Sequence, residues 1–134
     1  MGGTRLTLRV DFGPDRAIGP GKVVLLEAIR DTGSIAQAGR SLGMSYRRAW
    51  LLVDDMNRCF REPVVTAQPG GSQGGGAALT AFGEKLIQKY RAIETEAAAA
   101  AKPQLRDLEA SLRSLTRVTH KPRKTSIRAG TARR

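Results

Sequence analysis

Cysteine and histidine are almost missing from this chain: Cys59 and His120 are the only ones. A single cysteine excludes an intramolecular disulfide and points to a reducing compartment. A single histidine with no cysteine or histidine partner excludes the usual zinc-type ligand sets, so neither a metal nor a cofactor is expected. Aromatic residues are 4% of 134, too few to build a stacking platform for single-stranded nucleic acid. No apolar run approaches the ~20 residues that span a bilayer. The opening MGGTRLTLRVDF also lacks an apolar signal core. No membrane partner is expected, and the location expected is cytoplasmic. There is no nucleophile–base pair and no phosphate loop, so an enzyme is not expected either.

Acidic residues are scarce as well. The formal net charge is +11, and it is uneven. Arg117 to Arg134 holds seven Lys or Arg and no acid, which leaves sixteen basic and twelve acidic residues before it. A mildly basic body with a strongly basic tail favours a polyanionic partner. The tail has no apolar period and is expected to be disordered in isolation, as a solvated end, a weak nucleic-acid contact, or both.

The body is organised around SIAQAGRSLGMSYRRAWLLVDDMNRCF, Ser34 to Phe60. Ser34 is placed as an N-cap, and Ile35, Ala38 and Leu42 follow on one helical face. Gly43 stands where a helix ends in positive φ. Ser45 offers a second N-cap, and Ala49, Val53, Met56 and Phe60 form a second inward stripe. Off that stripe, at the first turn, stand Tyr46, Arg47 and Arg48. Two cations and a phenol at the start of the second helix suit a DNA-recognition helix in a helix-turn-helix. Gln37 is expected either to face a phosphate or base or to be plainly solvated. Trp50 borders the stripe and reads as a core anchor, with a base contact as the alternative. Asp54 and Asp55 read as a solvated face.

Around this unit the pattern is regular. Leu6, Leu8, Val10 and Phe12 alternate with polar residues, which predicts a half-buried strand over Thr4–Phe12. A turn at Gly13-Pro14-Asp15 and a helix from Pro20 to Gly33 follow. Pro63 closes the recognition helix. Two short apolar runs, Val64–Ala67 and Ala77–Leu79, flank the glycine-rich stretch Pro69 to Gly76, which predicts a hairpin. After a helix-turn-helix such a hairpin is a wing, with Ser72, Gln73, Gly74 and Gly75 as contact candidates; a merely flexible loop is the alternative. Thr80 reads as the N-cap of a long helix. Its stripe Phe82, Leu86, Tyr90, Ile93 and Ala97 exceeds what one small core needs. Pro103 should break or restart that helix, and Leu105, Leu108, Leu112 and Leu115 form a second amphipathic segment. Pairing of Leu86, Tyr90, Ile93, Ala97, Leu105, Leu108 and Leu112 with a second copy would bury the excess; folding back of the leucine segment is the alternative.

The expected fold is therefore mainly α with a small β component: a winged helix-turn-helix with an N-terminal strand, a Gly-rich β wing and a long C-terminal dimerisation helix. The expected organisation is a DNA-binding domain over 1–101, a short amphipathic helix over 102–116 and a basic tail over 117–134. The expected partner is double-stranded DNA, bound by Ser34, Gln37, Ser45, Tyr46, Arg47, Arg48 and the wing of a homodimer. The alternatives are a winged-helix module that docks another protein and a nonspecific DNA binder.

Five stretches together resemble the N-terminal DNA-binding domain of the molybdate-responsive transcription regulators of the ModE type. They are GSIAQAG at Gly33–Gly39, SYRRAW at Ser45–Trp50, the acid-Met-Asn element at Asp55–Asn57, GGSQGGG at Gly70–Gly76, and LTAFGEKLIQKY at Leu79–Tyr90. The resemblance is collinear over roughly Leu6 to Glu94; a looser one to LysR-type winged helices covers the same helix-turn-helix. It implies dimerisation through helices flanking the domain, a palindromic operator, DNA contacts from Ser45, Tyr46, Arg47 and Arg48, and a wing at Gly70 to Gly76. A wing residue that is often basic in the family falls within Thr66-Ala67-Gln68-Pro69, where no cation stands. The family's molybdate-binding domains are small β-barrels, and no strand pattern follows Glu94. Molybdate sensing is thus not expected of these residues themselves. A separate molybdate-sensing protein, control by abundance, or target genes unrelated to molybdenum would each fit.

Overall fold

The computed structural model describes residues 3–69 and 76–114. It divides into two units, 1–102 and 103–134. In the first, a two-residue ladder opens the chain: β1 (Val10–Asp11) pairs antiparallel with β2 (Ala17–Ile18). Then come α1 (Pro20–Thr32), α2 (Ile35–Ser41), α3 (Tyr46–Cys59) and a hairpin of β3 (Val65–Gln68) with β4 (Gly76–Leu79). Last is α4 (Ala81–Ala110), which starts in the first unit and ends in the second. Helix dominates and strands are few, as expected of a mainly α winged helix.

The N-terminal strand is shorter than its alternation predicts. Leu6, Leu8 and Val10 are half-buried and their polar neighbours exposed, but only Val10 and Asp11 enter a ladder. The partner strand is cut short because Pro20 already begins α1, at the first-turn position where a missing N–H costs nothing. Leu8 is anchored another way: the Tyr90 hydroxyl donates to its carbonyl oxygen at 2.6 Å. Burial, with the Glu94 carboxylate near it, raises the Tyr90 phenol above its ordinary pKa.

The core lies between α1, α3, the hairpin and the first half of α4. Val23, Leu25, Leu26 and Ile29 of α1 are buried, against Val53 and Met56 of α3 and Val64, Leu86, Ile87 and Tyr90. Each such side chain contributes about 1.5–3 kcal/mol on burial. Gly33 ends α1 at φ 72°, and its N–H bonds to the Ile29 carbonyl at 2.8 Å. Phe60 corrects the predicted stripe: α3 stops at Cys59, and Phe60 is extended, at φ −117° and ψ 162°. It packs its ring between Phe12 and Phe82, at 6.0 and 5.2 Å. Leu42 caps α2 and is exposed, rather than facing inward.

Two expectations about the long helix are corrected. Pro103 does not break it; α4 continues to Ala110. A proline removes a bond only in its own turn, and the residues around it, Ala97–Ala101 and Gln104–Arg106, are good helix formers. Leu86 and Tyr90 are buried in the chain's own core and present no surface to a second copy. Ile93 is exposed and Ala97 half-buried in the first unit. In the second, Leu105 is half-buried while Leu108 and Leu112 are 66% and 72% exposed.

Thr80 caps α4 as predicted, accepting from the Gly83 N–H at 2.9 Å and donating to the Pro63 carbonyl at 2.7 Å. Gly83 is the tightest of the described glycines: a Cβ there would lie 2.3 Å from the Val64 carbonyl oxygen. Replacing a helical glycine by alanine ordinarily stabilises by ~1 kcal/mol. Here the sign reverses, because overpacking against backbone costs ~1–3 kcal/mol. Chemical denaturation of Gly83→Ala is expected to show a net loss of stability; a gain would contradict the packing.

Candidate nucleic-acid interface

Both caps of the helix-turn-helix form as the sequence predicts. The Ser34 hydroxyl accepts from the Gln37 N–H at 3.0 Å, and the Ser45 hydroxyl accepts from the Arg48 N–H at 3.1 Å. Among the described residues neither hydroxyl donates to a partner. Gly43 turns the chain at φ 73°, and the Leu42 and Met44 N–H groups both bond to the Gly39 carbonyl. Gly39 also lets α2 and α3 approach closely, since a Cβ on it would stand 3.0 Å from the Ala49 Cβ.

With 3.6 residues per turn, burial of Ala49, Val53 and Met56 fixes which way α3 faces. Arg47, Leu51, Asp54 and Arg58 fall on the side opposite the core. Tyr46, Trp50 and Asn57 fall towards the hairpin, and Arg48, Leu52 and Asp55 towards the N-terminal ladder. Tyr46, Arg47 and Arg48 are exposed, and Tyr46 is 57% so. Among the described residues neither Arg47 nor Arg48 forms an ion pair. Asp54 and Asp55, by contrast, do: Asp54 pairs with Arg58 at 3.2 Å, and Asp55 with Lys22 at 2.5 Å. The acids of α3 are thus compensated and its first-turn cations are not. Arg48 further shares a groove of about 280 Å³ with Arg9 and Lys22. Gln37 is exposed on α2.

Trp50 corrects the sequence reading. It is no core anchor: 46% of it is exposed, as is 45% of Leu51 beside it. One residue after buried Ala49 turns ~100° around the helix, enough to leave the stripe. Trp50 and Tyr46 line one wall of a cleft of about 320 Å³ whose other wall is the hairpin, at Val65, Ala67, Gly76 and Ala77.

The hairpin itself pairs Val65 with Leu79 through Gln68 with Gly76. Ser72, Gln73, Gly74 and Gly75, the wing-tip candidates, lie outside the described residues. Asn57 holds the base of the hairpin. Its side-chain oxygen accepts from the Val64 and Val65 N–H groups at 2.7 and 3.4 Å, and its amide donates to the Val65 carbonyl at 3.3 Å. The Ala77 N–H adds a bond to the Gly33 carbonyl at 3.0 Å. A polar residue near an inward stripe, eight residues before the next strand, was the available signal for Asn57.

No family model matches the chain. Among curated proteins it is similar to the "Molybdenum-pterin-binding protein MopB" of Rhodobacter capsulatus, 56% identical over 77 residues, 58% of this chain and 28% of that protein. It is similar to the "Molybdenum transport protein ModE" of Azotobacter vinelandii, 41% identical over 92 residues, 69% of this chain and 33% of that protein. The "DNA-binding transcriptional dual regulator ModE" of Escherichia coli K12 is 41% identical over 71 residues, 53% of this chain and 27% of that protein. The chain spans about a third or less of the length of each.

Replacing Asn57 with alanine leaves the buried Val64 N–H without its partner, at a cost of ~1–3 kcal/mol. Thermal unfolding of Asn57→Ala should register that loss; an unchanged transition would contradict the role given to the amide. Over the aligned residues the chain is homologous to the N-terminal part of the ModE and MopB proteins, the ModE-type family that its sequence resembles.

Proposed function

We propose that this chain is a transcription regulator that binds double-stranded DNA in a sequence-specific manner as a homodimer, with α3 as its recognition helix. The carrying observation is the pair Arg47 and Arg48, exposed and without ion-pair partners among the described residues, at the capped first turn of the second helix of a helix-turn-helix. The Escherichia coli relative, named as a DNA-binding transcriptional regulator, supports the same partner.

In this mechanism two copies place their α3 helices in successive major grooves of a palindromic operator, ~34 Å apart. Arg47, on the side of α3 opposite the core, meets a guanine edge. Arg48, Tyr46, Ser45 and Gln37 hold phosphates and set register, and Ser34 acts through its cap on α2. The hairpin, with Ser72, Gln73, Gly74 and Gly75, follows the neighbouring backbone. The basic residues of 117–134 add affinity that is indifferent to sequence and falls with salt. The surface for the second copy is formed by Ile93, Ala97, Leu105, Leu108 and Leu112; Leu86 and Tyr90 are removed from that set by their burial. In this mechanism DNA binding by these 134 residues requires no molybdate.

The division of labour is read by fluorescence anisotropy over a salt series. The duplexes are a site selected from a random library by the full chain and a scrambled control. Arg47→Ala is expected to lose ~1–3 kcal/mol of discrimination at one base pair. Deletion of 117–134 should weaken both duplexes alike and flatten the salt dependence. Loss of selected-site binding alone on tail deletion would overturn this assignment. Absence of salt-sensitive binding to any duplex would favour a protein-docking module instead.

Dimerisation is tested separately, by sedimentation equilibrium. Ile93→Glu and Leu108→Asp are each expected to shift a dimer towards monomer without unfolding it. A wild-type monomer at the concentrations where DNA is bound would contradict the two-copy mechanism.

A further inference from the structure

Resting on the DNA-binding reading, one feature of α3 goes unused by the arginines. Its outward surface is partly apolar. Tyr46, Trp50 and Leu51 are 57%, 46% and 45% exposed within two turns of the same helix. Single exposed apolar residues are ordinary on any surface. Three large ones within two turns, near two cations that form no ion pair among the described residues, are not what solvent alone favours.

Trp50 is the best placed of the three. It stands one turn after Tyr46, on the wall of the 320 Å³ cleft between α3 and the hairpin. Leu51, on the side facing away from the core, extends its apolar surface towards Arg47. On the DNA-binding reading, a nucleotide strand held between α3 and the hairpin would pass the mouth of that cleft. Guanidinium groups and phosphates satisfy each other, but an indole face needs an apolar group. In the major groove the base edges carry one such group, the 5-methyl of thymine.

We propose that Trp50 is a specificity-determining residue whose indole face meets the 5-methyl group of a thymine, so that the protein distinguishes thymine from cytosine and from uracil at that position. Hydrogen-bonding side chains cannot make the second distinction, because thymine and uracil present the same donors and acceptors. The weight of one buried methyl-sized group corresponds to about a fourfold change in affinity.

The test uses the full chain and the duplex it selects from a random library, with each thymine replaced in turn by deoxyuridine. At one thymine per half-site, uracil is expected to weaken wild-type binding about fourfold. Trp50→Ala should bind the thymine and uracil duplexes equally, and Trp50→Phe, which keeps an aromatic face, should regain part of the difference. Trp50 is the only tryptophan in the chain, so its fluorescence should also become protected from acrylamide when the selected duplex is added. Uracil tolerated everywhere by the wild type, or equal sensitivity in wild type and Trp50→Ala, overturns the proposal and leaves the DNA-binding reading standing. Failure of the wild type to bind any duplex overturns both.

Discussion

The three hydrogen bonds of the Asn57 side chain are the joint on which the proposed interface depends. A two-stranded hairpin of four-residue strands is marginal alone. Here its base is fastened to three helices. Asn57 binds it to α3, the Ala77 N–H binds it to the last turn of α1, and Thr80 with Gly83 binds it to the start of α4. α3 and the hairpin are thereby tied to one another before any partner arrives. A ligand that touches both spends less free energy on ordering them.

Charge is arranged with the same economy. Arg91 bridges Glu27 of α1 and Glu94 of its own helix at 2.8 and 2.7 Å, and those two carboxylates raise its pKa. Arg30 reaches Glu84 at 3.4 Å, and Lys22 reaches Asp55. Such exposed or half-exposed pairs contribute little stability individually. On α3 itself, Asp54 and Asp55 are taken up by Arg58 and Lys22, and among the described residues no carboxylate pairs with Arg47 or Arg48.

Much of this was legible in the sequence, and for stated reasons. Caps at Ser34, Ser45 and Thr80, the positive-φ glycines at 33 and 43, and the hairpin flanks are local features, set by residues within a turn of where they act. What escaped was partly non-local. The alternation of Leu6, Leu8 and Val10 fixed burial but not pairing, because a ladder also needs a partner of equal length. Trp50 was misplaced because large apolar residues are presumed inward, while its angle relative to Ala49 and Val53 turned it out. Leu86 and Tyr90 were misassigned because a stripe on a long helix does not say where the chain's own core stops and free surface begins. Pro103 was over-weighted because a proline's penalty is local. Of the candidate contacts, Gln37, Ser45, Tyr46, Arg47 and Arg48 lie exposed on the helix-turn-helix as the pattern implied.

The most direct measurement is a titration of the isotope-labelled chain with its selected duplex, followed residue by residue through amide chemical shifts. Shifts concentrated in Ser45–Leu51, the start of α2 and the hairpin, with the buried face of α4 undisturbed, are the predicted result. Shifts concentrated along α4, with the first turn of α3 silent, would contradict α3 as the recognition helix.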